Sequence, residues 1–104
     1  MAKLEYSQNA LDDIKRLVAF LIDSDVIAGL ETFDIVDEAI QILKRHPDIG
    51  RMTQNNAKRE LVISRGRTGY IAIYALDKLT DIVVILAIKH QRESGFNWLL
   101  MTLF

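Results

Sequence analysis

Between residues 8 and 22 the apolar positions Leu11, Ile14, Leu17, Val18, Leu21 and Ile22 fall on one helical stripe. Asp12, Asp13, Lys15 and Arg16 take the other side, so the spacing predicts an amphipathic helix. Ser7 suits its N-cap, and Asp12 and Asp13 suit the positive end of its dipole. Asp23-Ser24-Asp25 interrupts the pattern, and Ser24 or Asp25 offers a new cap. A second stripe of Leu30, Phe33, Val36, Ile40 and Leu43 then predicts a helix over 26–45. Lys44, Arg45 and His46 meet the negative end of that helix, and Pro47 stops it. The short link makes 8–45 an antiparallel helical hairpin. Gly29 costs roughly 1 kcal/mol against alanine inside a helix, which predicts a close approach to the first helix there.

Pro47-Asp48-Ile49-Gly50 is turn chemistry, and 51–57 reads as a polar loop. The period then changes. Residues 59–64, 69–76 and 81–88 are strand-like runs joined by Arg65-Gly66-Arg67-Thr68 and Asp77-Lys78-Leu79-Thr80, which predicts a three-strand antiparallel meander over 58–90. The last two runs are apolar on both faces, so both faces need cover. The hairpin supplies one cover; the uncharged end of the 91–104 tail, or a partner, supplies the other. Residues 1–6 alternate charged and apolar types, as in an edge strand or extended lead-in. The expected fold class is α+β: an N-terminal strand and an antiparallel helical hairpin packed on an antiparallel meander, in a single domain spanning 1–104.

Composition narrows the chemistry. A chain of 104 residues can bury one core, and without cysteine it has neither disulfides nor thiolate metal sites. The start lacks the apolar segment of a signal peptide, and no apolar run approaches the roughly 20 residues of a membrane helix, so a cytoplasmic protein without membrane attachment is expected. The net charge of -1 argues against direct, sequence-specific nucleic-acid binding. The charge is uneven: 1–57 carry a net -4 and 58–93 a net +3, so one surface suits an anionic partner better than the rest. His46 and His90, the only histidines, lie on different elements, and Arg65-to-Gly69 joins two strands and opens no helix. Neither a metal nor a cofactor is therefore expected.

A charged group remains. Lys58, Arg59 and Glu60 enter the first meander strand, Arg65 and Arg67 lie in its turn, and Lys89, His90, Arg92 and Glu93 leave the last strand. In a meander the first and third strands run parallel. Arg65, Arg67, His90 and Arg92 then share one rim, with Lys58 and Arg59 at the opposite end. Such a rim either clamps a phosphate or a partner carboxylate, or forms a salt-bridged sheet edge.

Four words in this order resemble the ParE/RelE superfamily of type II toxin-antitoxin toxins. They are Leu43-Lys-Arg-His-Pro-Asp-Ile-Gly-Arg51, Arg59-Glu-Leu61, Gly69-Tyr-Ile-Ala-Ile-Tyr74 and Ile85-Leu-Ala-Ile-Lys-His-Gln-Arg-Glu-Ser-Gly-Phe96. The ending Lys89-His90-Gln91-Arg92-Glu93 with Gly95 and aromatic Phe96 is similar to the ParE branch and to plasmid-stabilisation proteins. The resemblance implies a bacterial toxin that causes growth arrest and is neutralised in a hetero-oligomer with a cognate antitoxin. It also implies one of two mechanisms. ParE-like members inhibit DNA gyrase by protein contact, which makes Arg59, Arg65, Arg67, Lys89, His90 and Arg92 the candidate target-binding residues and assigns no catalytic one. RelE-like members cut mRNA on the ribosome, which would cast Glu60, Arg65, His90 and Arg92 as catalytic. Phe96 stands where the nucleases carry a tyrosine, and the chain is slightly acidic where they are basic, so the first mechanism is expected. A non-toxic, antitoxin-binding remnant is a third reading. Trp98, Leu99, Met101 and Phe104 are candidate antitoxin contacts, or else fold back over the sheet.

Overall fold

In the computed structural model, residues 1–54, 57–65 and 68–90 are described. Strand β1 (Lys3–Tyr6) leads into helix α1 (Gln8–Ser24), helix α2 (Val26–Gln41) and a 3-10 turn at Ile42–Lys44. Strands β2 (Arg51–Met52), β3 (Arg59–Arg65), β4 (Thr68–Asp77) and β5 (Ile82–His90) follow. They form one five-stranded sheet in the order β1-β5-β4-β3-β2. β3, β4 and β5 pair antiparallel as the meander, while β1 joins β5 parallel at the far edge. The helices lie on one face, giving an α+β architecture.

Most local reasons match the sequence, but α1 starts at Gln8 and its first turn carries no acidic residue, so Asp12 and Asp13 lie past its positive end. The Ser7 hydroxyl accepts the Ala10 N–H and caps α1; the Asp25 carboxylate accepts the Ala28 N–H and caps α2. Gly29 sits against α1, where a Cβ would stand 3.0 Å from Ile22 Cγ1, so the helices cross closely there. Two other expectations change. The α-helical part of α2 ends at Gln41 and tightens into a 3-10 turn before Pro47, a common way for a helix to finish. Part of the expected polar loop, Arg51–Met52, pairs with Arg59 and Glu60 as a two-residue edge strand, too short for any periodicity to reveal.

The core lies between helices and sheet: Ala10, Ile40, Leu43, Ile63, Tyr70, Tyr74, Val83, Ile85 and Ile88 are buried together. Ile71, Ile73 and Ala87 form a second buried cluster on the other face of the sheet. The tail expected to help cover that face lies outside the described residues. β5 carries a bulge. Ile73 pairs with Ala87 but the next residue, Tyr74, pairs with Ile85, so Leu86 is the extra residue. This shift puts Ile88 and His90, instead of Ala87 and Lys89, on the side of the sheet that carries Tyr70.

The second helix meets the sheet only with its later turns. Ile35, Val36, Ala39 and Ile40 pack on the core, while Leu30 and Phe33 on the same stripe stay exposed. Its first turns form the hairpin tip, where Phe20, Val26 and Ile27 are also exposed.

Candidate functional site

The strand ends divide the charged residues into two groups. At the start of β3, Arg59 donates to the carbonyls of Asp48 (3.1 Å) and Gly50 (2.8 Å) and lies 3.6 Å from the Asp48 carboxylate. Next to it the fully buried Tyr74 donates its hydroxyl to Pro47 O (2.7 Å) and accepts the Gly50 N–H (2.9 Å). Burial raises the Tyr74 pKa, with the Gly50 hydrogen bond and the Arg59 cation opposing. Gly50 has no room for a side chain, because a Cβ would stand 2.6 Å from the Tyr74 hydroxyl and 2.9 Å from Glu60 O. Arg59 and Tyr74 thus pin the Pro47–Gly50 loop to the sheet. Lys58 is buried beside this end, and desolvation lowers its pKa.

The opposite end holds His90. Its ring meets Tyr70 edge-on, with centroids 5.1 Å apart, and Tyr70 is itself buried. The sheet register sets Ile63, Tyr70 and His90 side by side, and Arg65 ends β3 two residues further on. Arg59 lies six residues before Arg65, about 20 Å away along the strand. Of the candidate target-binding residues, Arg65 and His90 therefore share one rim, with Lys89 adjoining. Arg59 stands at the other end, engaged with the loop. Arg67, Arg92 and the tail residues Trp98, Leu99, Met101 and Phe104 lie outside the described residues.

The candidate nuclease set is divided as well. Glu60 pairs with Arg51 on β2 at 2.8 Å. Glu60 alternates with Leu61 and Ile63, which pack under the helices, so it belongs to the opposite face. His90 faces the Tyr70 side. Glu60 lies level with Ala87, so about 10 Å along the strands and about 10 Å across two strand spacings separate its backbone from that of His90.

One residue of this end escaped the sequence reading. Asp13, expected on the solvent side of α1, is buried at 5 % exposure. Its carboxylate accepts the Ile88 N–H (2.9 Å), the Lys89 ammonium (3.0 Å) and the Arg16 guanidinium (3.1 Å). The cause is the short length of β1. It pairs with β5 only through Ile85, and beyond that point polar side chains of α1 must satisfy the strand edge. Ser7 and Asn9 donate to Leu86 O for the same reason. Nothing in the spacing of α1 could have paired Asp13 with a strand 75 residues later.

Between α1 and α2, over this end of the sheet, lies an apolar groove whose cavity volume is about 300 Å³. Leu11, Ile14, Val18, Phe33, Val36 and Tyr70 are among its walls, with Tyr6 and Asp37 at its polar margin. Burial and then the nearby Asp37 carboxylate raise the Tyr6 pKa. No group of His, Asp or Glu among the described residues could hold a metal. No described helix is long and apolar enough to cross a membrane.

The architecture is shared with proteins of toxin-antitoxin complexes. A chain of the chromosomal ParDE system from P. aeruginosa superimposes with a TM-score of 0.70 at 16% identity, covering 86% of this chain and 95% of that one. A chain of the RelBE2 toxin-antitoxin complex from Mycobacterium tuberculosis superimposes with a TM-score of 0.56 at 22% identity, covering 86% and 98%. At these identities the likeness speaks for the fold. A comparison with curated proteins returns no match. The family model described as ParE toxin of type II toxin-antitoxin system, parDE, matches residues 4–95. The chain belongs to that family and is a type II toxin of the ParE/RelE kind.

Proposed function

We propose that this toxin arrests growth by binding DNA gyrase through the β5 end of its sheet, and that its antitoxin neutralises it by occupying the groove between α1 and α2. The observation that carries the first part is the division of Glu60 from His90. Attack by an RNA 2′-hydroxyl needs a base and an acid around one phosphate. Here the two candidate bases, Glu60 and His90, lie on opposite faces and cannot serve one phosphate together, and Glu60 is held by Arg51. Protein contact needs no such pair, and the end of the sheet where β5 places His90 and the register places position 65 suits an acidic or phosphate-bearing surface. The net charge of -1 and Phe96 in place of tyrosine support the same reading.

The groove supports the second part. Its apolar walls and the exposed Leu30 and Phe33 suit the anchors of an amphipathic helix. Residues 17–43 contain Asp23, Asp25, Glu31, Asp34, Asp37 and Glu38 but no lysine or arginine. The complementary antitoxin segment is accordingly an amphipathic helix with cationic flanks.

Purified toxin added to gyrase in a supercoiling assay tests the target. Loss of supercoiling with accumulation of cleaved DNA is expected. Full activity at large toxin excess, together with toxin-dependent cuts in translated mRNA on primer extension, would replace the reading with the ribosome-dependent one.

A further inference from the structure

We propose that Asp13 is a positioning residue for the target-binding end, a role that rests on the toxin reading of that end but not on gyrase as its target. β5 loses β1 as a neighbour after Ile85, yet it runs five residues further to His90. A bulged strand that is open along one edge has no backbone partner to fix its final residues on that side. The N-cap and first two turns of α1 replace the missing strand. Ser7 N–H donates to Ile85 O (2.9 Å), the Ser7 hydroxyl and the Asn9 amide donate to Leu86 O (3.1 and 3.0 Å), and Asp13 takes the Ile88 N–H.

Asp13 differs from the other two because it is the last tie and the only charged one among them. One oxygen fixes the backbone of Ile88; the other draws in Lys89 and Arg16. The residue after Lys89 is His90, whose ring rests on the edge of Tyr70. A side chain on α1 therefore sets the path of the strand at Ile88 and how His90 is presented. The Lys89 side chain, 23% exposed, is drawn toward α1 by the same carboxylate, so Asp13 also governs how far this cation reaches from the rim. Asp13 itself is too buried to touch a partner surface, so its effect on a partner passes through Lys89 and His90.

The test uses full-length toxin, released from its antitoxin, as Asp13→Ala and the milder Asp13→Asn, which keeps an acceptor for the Ile88 N–H. Nuclear magnetic resonance reads the Ile88 amide exchange and the His90 ring shifts; induced expression reads growth arrest; titration with antitoxin reads the groove. For Asp13→Ala, Ile88 exchange faster by about tenfold or more, shifted His90 resonances and growth arrest requiring about tenfold more toxin are expected. Antitoxin affinity should stay within about threefold, and the loss of protection at Ile88 should exceed that at the Gly50 N–H of the opposite end. Asp13→Asn should recover part of both the exchange protection and the growth arrest. Wild-type growth arrest by a variant whose His90 resonances have moved would overturn the proposal. So would unmoved resonances, or a fall in antitoxin affinity together with equal losses of protection at Ile88 and Gly50, which would make Asp13 only a general stabiliser. If Asp13→Ala does not fold, the same comparison on Asp13→Asn decides. Failure of gyrase as the target leaves these readouts intact, because none of them uses gyrase.

Discussion

The two helices lie on the same sheet but are joined to it differently. α1 is fastened by directed bonds, with Ser7, Asn9 and Asp13 completing the edge of β5. α2 rests on apolar side chains of its later turns, and its earlier turns extend past the core with Leu30 and Phe33 exposed, Phe33 at the wall of the cavity. Directed bonds fix distance and angle, whereas apolar contact fixes mainly area. One helix can therefore serve as scaffold for the strand end while the other keeps unsatisfied surface for a partner.

Removing the carboxylate should break this contrast most visibly. Asp13→Ala leaves the Ile88 N–H and Lys89 without their acceptor and should cost about 2–3 kcal/mol in chemical denaturation. Ser7→Ala removes both the cap of α1 and a donor to Leu86 O, and should cost about 1 kcal/mol by the same measurement. On α2 the order reverses. Phe33→Ala should cost about 1 kcal/mol or less, since the side chain is only partly buried. It should weaken antitoxin binding by about tenfold or more in titration calorimetry, as truncation of an anchor does.

The smallest effect concerns pH. The Tyr6 pKa is raised in the folded state, so its contribution to stability is fully present below the unfolded value, about 10, and is lost as pH rises through the folded value. The phenolate would then face Asp37 on α2. Denaturation at alkaline pH should show this loss in the native chain, superimposed on a similar one from Tyr74, and Tyr6→Phe should remove only the Tyr6 share.

What could be read in advance follows from the range of the interactions. The hairpin, its caps, the close approach at Gly29 and the meander rest on local spacing and turn chemistry, and all are present. The parallel pairing of β1 with β5 joins residues at opposite ends of the chain, which no local pattern encodes. The bulge at Leu86 is equally hidden, because in an apolar run one extra residue leaves no break in alternation. That is why the side presented by His90 could not be read in advance. Asp13 was misassigned because its charge placed it on the polar side of α1, while the cause of its burial is a strand that ends too early. Arg59 was legible as a cation at a strand start, but its engagement with Asp48 and Gly50 depends on a loop that folds back onto it.

In the proposed function the α2 surface and the β5 end do different work on the same toxin. Gyrase supercoiling in the presence of a Leu30→Ala/Phe33→Ala toxin, with and without antitoxin, tests it most directly. Inhibition equal to wild type is expected without antitoxin, and inhibition should persist at an antitoxin concentration that fully silences the wild type. A variant that no longer inhibits gyrase, or that antitoxin silences as readily as the wild type, would contradict it.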